Sequence, residues 1–304
     1  MAPRATDLCF AILLFTVVIG CRDKGRDRAD SARGSLPPVY PSGPANTNWN
    51  TNAGPIMIVP AGSGDSVAVV IPEATDSTIA SFQGINPPIS NVTFDLFGRG
   101  GKIGSSIAAS ALPPVVERDC YTWPRARLQA TRANWEVGFA SGHVQAIKLD
   151  SIEAMSSADS AALAAALAQT AATLPIKVDP TFRGLPFRVR SAYTFRLDSV
   201  QVVVADIVRS VNEEANPRLE HLLIVGQRPA GSSGKFEVGY FSRTAGAEES
   251  TQATELLAAV MIGETKRPAI VVSIEYDDGG KLGLIERMDS GQWQATWKSA
   301  YTDC

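Results

Sequence analysis

His143 and His221 are the only imidazoles in the chain, and neither stands at a spacing that recruits a second ligand, such as His-x-x-x-His. His221 lies in the strand-like run Leu219 to Val225, alternating with Leu222 and Ile224, where a packed or surface histidine is expected. Asp206 interrupts the apolar run Val200 to Val211 and shares a strand face with Val202, Val204 and Val208. A carboxylate buried there needs a partner, and Arg188 or Arg190 is expected to supply it as a structural ion pair. The pairs Glu213-Glu214 and Glu248-Glu249 sit in polar, turn-like segments and read as solvated charge. Gly98-Arg99-Gly100-Gly101-Lys102-Ile103-Gly104 has the glycines to cradle a phosphate but not their spacing. Ile103 occupies the third glycine position, and Lys102 is followed by Ile103 where a P-loop needs Ser or Thr, so a tight turn between strands is expected. Gly231-Ser232-Ser233-Gly234-Lys235 reads as a hairpin tip, and no Gly-x-Ser-x-Gly elbow occurs. No metal, cofactor or catalytic group is signalled.

Trp293-Gln294-Ala295-Thr296-Trp297 places two indoles on one face of a strand. Exposed, Trp293 and Trp297 form a platform on which a sugar ring or a protein partner can stack; covered, they are the core of a closing strand. The formal net charge of −3 supplies no strongly basic surface, so nucleic acid is not expected as a partner.

The first twenty residues carry a different signal. Arg4 precedes the apolar run Cys9 to Ile19, which is too short to cross a bilayer as a stable helix and reads as a secretory leader. Val18-Ile19-Gly20-Cys21 follows. This tetrad resembles the lipobox of bacterial lipoproteins, although that family more often has Leu where Val18 stands. The resemblance covers only about the first twenty-one residues, and it implies that Cys21 receives a diacylglyceryl thioether and becomes the first residue after cleavage. It also implies a cell-envelope location, with the protein lipid-anchored to a membrane and facing the periplasm or the exterior. Cys9 then leaves with the leader, so Cys120 and Cys304 remain in an oxidising compartment and are expected to form a disulfide. From Arg22 to about Gly54 the chain is charged, then rich in Ser, Gly, Pro and Asn, as a flexible stalk is. Such a stalk holds a domain roughly 30 Å from the membrane.

The remainder, 55–304, is long and apolar enough for a globular domain, with a tandem pair divided near residue 187 as the alternative. Strand signals dominate. Ile56 to Val59 and Ser66 to Ile71 flank a turn and read as a hairpin. Phe187 to Leu197 alternates, with Phe187, Val189, Tyr193, Phe195 and Leu197 expected on one face. Two segments read as helices: Ser160 to Leu174, opened by Ser156 to Asp159 and stopped by Pro175, and Thr251 to Ile262, ending at Gly263. Thr93-Phe94-Asp95-Leu96 matches Thr194-Phe195-Arg196-Leu197, and Trp135 to Phe139 matches Phe236 to Tyr240 at the same offset, which suggests two related halves. The expected fold is therefore α+β, predominantly antiparallel with two main helices, with a β-sandwich or β-propeller as the alternative. The expected function is that of a non-catalytic envelope lipoprotein that binds or assembles with a protein partner. The alternatives are a carbohydrate or small-ligand binder and a hydrolase of envelope polymers.

Overall fold

Short β-branched runs broken by glycine turns build the first layer. Met57–Pro60 (β1) and Ser66–Val70 (β2) pair as the expected hairpin. Thr93–Gly98 (β3), Gly101–Ala111 (β4), Arg125–Leu128 (β5) and Val137–Ala140 (β6) complete a closed barrel in the order β1-β2-β5-β4-β3-β6. These and all later elements belong to a computed structural model that describes residues 49–62, 64–71, 89–112, 123–130, 133–175, 179–211, 216–232, 234–276 and 279–303. All of them lie in one compact unit, Tyr40–Cys304. Side chains alternate across each barrel strand, so Ile58, Val69, Phe94 and Leu96 fill one cluster while Met57, Val70, Phe97 and Phe139 pack into another. Closure depends on β6 lying close against β1. A Cβ on Gly138 would stand 2.7 Å from Ile58 Cγ1.

Beyond the barrel, Val144–Ile147 (β7) and Asp150–Ser151 (β8) carry the chain into two open sheets. After the helix Ser157–Thr173 (α1), the strands Arg188–Leu197 (β9), Val200–Val211 (β10), Arg218–Pro229 (β11) and Glu237–Ala247 (β12) follow one another as an antiparallel meander. Its far side is closed by β8, beside β9. Ala253–Ile262 (β13), Arg267–Glu275 (β14), Gly279–Arg287 (β15) and Trp293–Lys298 (β16) form a second meander, closed by β7 beside β13, and Thr302–Asp303 (β17) pairs with β15. Each sheet thus consists of a four-stranded meander that begins next to one short strand from the 144–151 segment.

The layers are stacked by their apolar faces. Ala258, Val260, Val271 and Leu284 of the second sheet pack on the barrel, while Leu256, Ala259, Ile270 and Val272 pack on Val202, Val204, Leu223 and Val225 of the first. The opposite face of the first sheet, through Val203, Ala205, Leu222 and Ile224, is covered by α1. That helix forms where the sequence expects it. Ser156 Oγ accepts a hydrogen bond from the Asp159 amide at 3.2 Å, and Leu163, Leu167, Thr170 and Ala171 make its buried stripe.

The second expected helix does not form. Thr251 to Ile262 is mostly the strand β13, and among the described residues α1 is the one α-helix, so the α+β expectation with two main helices gives way to a mostly antiparallel β architecture. The reason is burial on both faces. A strand covered by the barrel on one side and a sheet on the other is apolar throughout, and a bulge between Leu256 and Ala258 breaks what alternation remains. The two related halves fail with it: β3 lies in a closed barrel, whereas its sequence counterpart β9 lies in an open sheet.

Bulges also divide faces that the sequence expects to be continuous. In β9 the register against β10 shifts beside Arg190, so Phe187 and Val189 pack under α1 while Tyr193, Phe195 and Leu197 enter the core between the sheets.

Candidate functional site

The cleft with the most chemical character lies where α1 ends over the first sheet. Pro175 stops the helix, and a 3-10 turn at Pro180–Phe182, capped by Asp179 Oδ1 on the Thr181 amide, leads the chain back to β9. The resulting cleft of about 400 Å³ is walled by Ala168, Ala171, Leu174, Leu185, Pro186 and Phe187, with Arg209 and Glu220 as its floor.

Arg209 and Glu220 are directly opposed across the hairpin, the placement in which opposite charges help a sheet most. Glu220 is 0% exposed. It survives that burial because Arg209 Nε donates to Oε2 at 2.6 Å and Arg243 Nε, from β12, donates to Oε1 at 2.7 Å. Arg209 Nη1 also donates to the Phe182 carbonyl at 3.0 Å, and its guanidinium lies 4.4 Å from the Phe187 ring centroid and 5.6 Å from that of Phe182. Two guanidiniums against one carboxylate leave one positive charge. Asp179 pairs nearby with Arg218 at 3.1 Å, and its carboxyl is held below the usual aspartate range, chiefly by the Thr181 amide and side chain.

Both oxygens of Glu220 are thus engaged by guanidiniums. The floor therefore presents a tightly held ion pair beneath apolar walls, a setting for a polar group on an apolar frame. None of Arg209, Glu220 and Arg243 is signalled by a sequence motif. The usable clue is charge inside two apolar runs: folding the β10–β11 hairpin about its turn places those charges opposite one another.

The residues singled out in the sequence are dispersed. Asp206 and His221 meet on the other face of the first sheet, with His221 Nδ1 3.5 Å from Asp206 Oδ1 and Arg190 Nε 3.8 Å from Oδ2. Arg190 is one of the two partners expected for Asp206; His221 was not among them. The approach of His221 is not aligned as a hydrogen bond, and Nδ1 is buried without one. His143 lies in the β6–β7 turn, where its carbonyl accepts from the Gly263 amide at 2.9 Å. The glycine-rich segment is the β3–β4 hairpin, whose Arg99 donates to the Leu256 carbonyl at 2.7 Å, pairs with Glu255 and lies over the Tyr193 ring. Lys102 meets Asp95 at 2.7 Å. Burial raises the Asp95 pKa, but hydrogen bonds from Lys102, Ser105 and Ser141 outweigh it, and the carboxyl titrates below its usual range.

Trp293 is 2% exposed and Trp297 6%, and the two do not share a face. A bulge opposite Leu284 and Ile285 sends Trp293 into the core between the sheets, edge-on to Phe195, and Trp297 into the layer against the barrel. Trp297 meets Trp49 there, and Ala53 packs in the same layer, so residues 49 to 54 lie against the body. Cys21, Cys120 and Cys304, with the leader, the lipidation site and the expected disulfide, fall outside the described residues. Among the described residues no three metal-ligating side chains cluster, and no helix is long and apolar enough to cross a membrane. Comparison of the chain with protein-family models, curated proteins and solved structures returned no match.

Proposed function

We propose that this chain is a lipid-tethered, non-catalytic binding protein of a bacterial cell envelope. Cys21 would supply the anchor and the polar segment that follows would supply the reach. The observation that carries the binding half is the state of the buried carboxylates. Glu220 is clamped by two arginines, Asp95 is held by Lys102 and two serines, and Asp206 faces Arg190 and His221. Glu286 accepts from Asn50 at 2.9 Å and from Thr296 at 2.8 Å. Each carboxylate is taken up by polar partners of its own, which favours a rigid binding body over a pair of acids poised for hydrolysis. A second reading, a small-ligand binder, is favoured by the cleft under α1, whose apolar walls and Arg209–Glu220 floor suit a polar group on an apolar frame.

The test is chemical cross-linking in intact cells, followed by capture of the full-length chain and a Cys21→Ala control. Reproducible adducts that vanish in the control support an anchored binding protein. Identical products with and without Cys21 contradict it.

A further inference from the structure

We infer that β12 is a self-association edge: two copies of this chain pair antiparallel along Tyr240 to Thr244 about a two-fold axis through Ser242. This goes beyond the reading above and does not depend on the anchor. β12 pairs with β11 on one side and, among the described residues, with no strand on the other. Trp293 packs against Gly239 from the facing sheet, where a Cβ would stand 2.8 Å from its ring. Edges of this length are normally blunted by charged side chains, above all lysine, by proline, by a bulge or by a covering element. β12 has one bulge and, beyond it, one charge, Arg243, which is held against Glu220. Glu237–Ala247 contains neither Lys nor Pro, and its bulge lies at the start of the strand, beside Gly239. Phe241, in the regular stretch beyond the bulge, is 39% exposed and is the exposed large hydrophobic of the described chain.

The sequence of that stretch selects the partner and the register. Phe241 and Arg243 lie on the sheet face shared with α1, whereas Tyr240, Ser242 and Thr244 face the second sheet. Two antiparallel copies keep these faces only if the axis passes through a residue. An axis through Arg243 would oppose two guanidiniums, and one through Phe241 would set Arg243 against the bulge. Through Ser242, each Phe241 lies opposite the other copy's Arg243, twice over, and Tyr240 lies opposite Thr244. Arg243 is held in place for that contact: its Nε is fixed on Glu220, and about a fifth of its side chain (21%) remains exposed to meet an aromatic ring.

The test is disulfide trapping in cells that produce the full-length chain with Ser242→Cys. Directly opposed antiparallel residues have Cα atoms roughly 4.5 to 5.5 Å apart, within the about 4.4 to 6.8 Å that a disulfide spans. Mild oxidation should give a covalent homodimer several-fold above both the unsubstituted chain and Glu264→Cys, a substitution in the exposed β13–β14 turn. Adding Phe241→Arg, which opposes two cations, should lower that yield at least about ten-fold, whereas Phe241→Glu, which faces Arg243 with an anion, should preserve it. A general folding defect would not produce that contrast. A yield at position 242 no greater than at 264, an adduct to another protein instead of a dimer, or equal yields for the Arg and Glu variants would overturn the inference.

Discussion

Glu220 owes its place in the fold to two guanidiniums, and its loss would expose how closely the charges under α1 depend on one another. Glu220→Gln leaves Arg209 and Arg243 facing a neutral amide at a position that is itself fully buried. Breaking a buried ion pair by removing one partner typically costs about 3 to 5 kcal/mol, so urea unfolding should show a loss of that order; a change within error would mean that the carboxylate is not charged or not buried. Asp95 gives a pH signature of opposite origin. Its folded pKa lies below the usual value of 3.8, so the stabilisation it provides is fully present above that value and is lost as pH falls through the folded pKa. The stability gap between the native chain and Asp95→Asn should therefore be widest near neutral pH and narrow as the solution is acidified below about pH 4. A gap independent of pH would contradict the assignment. At this scale the sequence is informative only where a charge interrupts an apolar run. Asp206 stands out in that way, and one of its expected partners, Arg190, is correct; the triad at Glu220 spans three strands and needs the register before it can be seen.

Elements differ in how openly they announce themselves. The β1–β2 hairpin, the β3–β4 turn and α1 follow from local features: glycine turns, a serine cap and a proline stop. β13 does not, because burial on both faces removes the period that separates helix from strand. The bulges in β9 and β16 are equally silent, yet they decide which core receives Phe187 and Trp293. Barrel closure is the least legible feature, since β6 meets β1 across most of the layer and is admitted by Gly138. A methyl group there would press on Ile58, a β-branched side chain with little freedom to move. Gly138→Ala should accordingly destabilise the protein by about 1 to 3 kcal/mol, the usual cost of overpacking. Measured by denaturant unfolding, an unchanged midpoint would show that β1 and β6 yield readily.

At the scale of the whole molecule, four apolar contacts in series join the barrel interior, the barrel and second sheet, the two sheets, and the first sheet and α1. The 144–151 segment links them, contributing one short strand to each open sheet. This stack leaves two features for recognition, the cleft beneath α1 and, among the described strands, the unpaired edge of β12. A tether would hold both at a membrane surface, where even weak contacts are repeated between confined molecules. The most direct test of that account is the intact mass of full-length protein recovered from membranes of producing cells. It predicts a chain that begins at Cys21 and carries the mass of a diacylglyceryl group, lost together with cleavage in Cys21→Ala. An unmodified chain, or one that begins at any other residue, would contradict it.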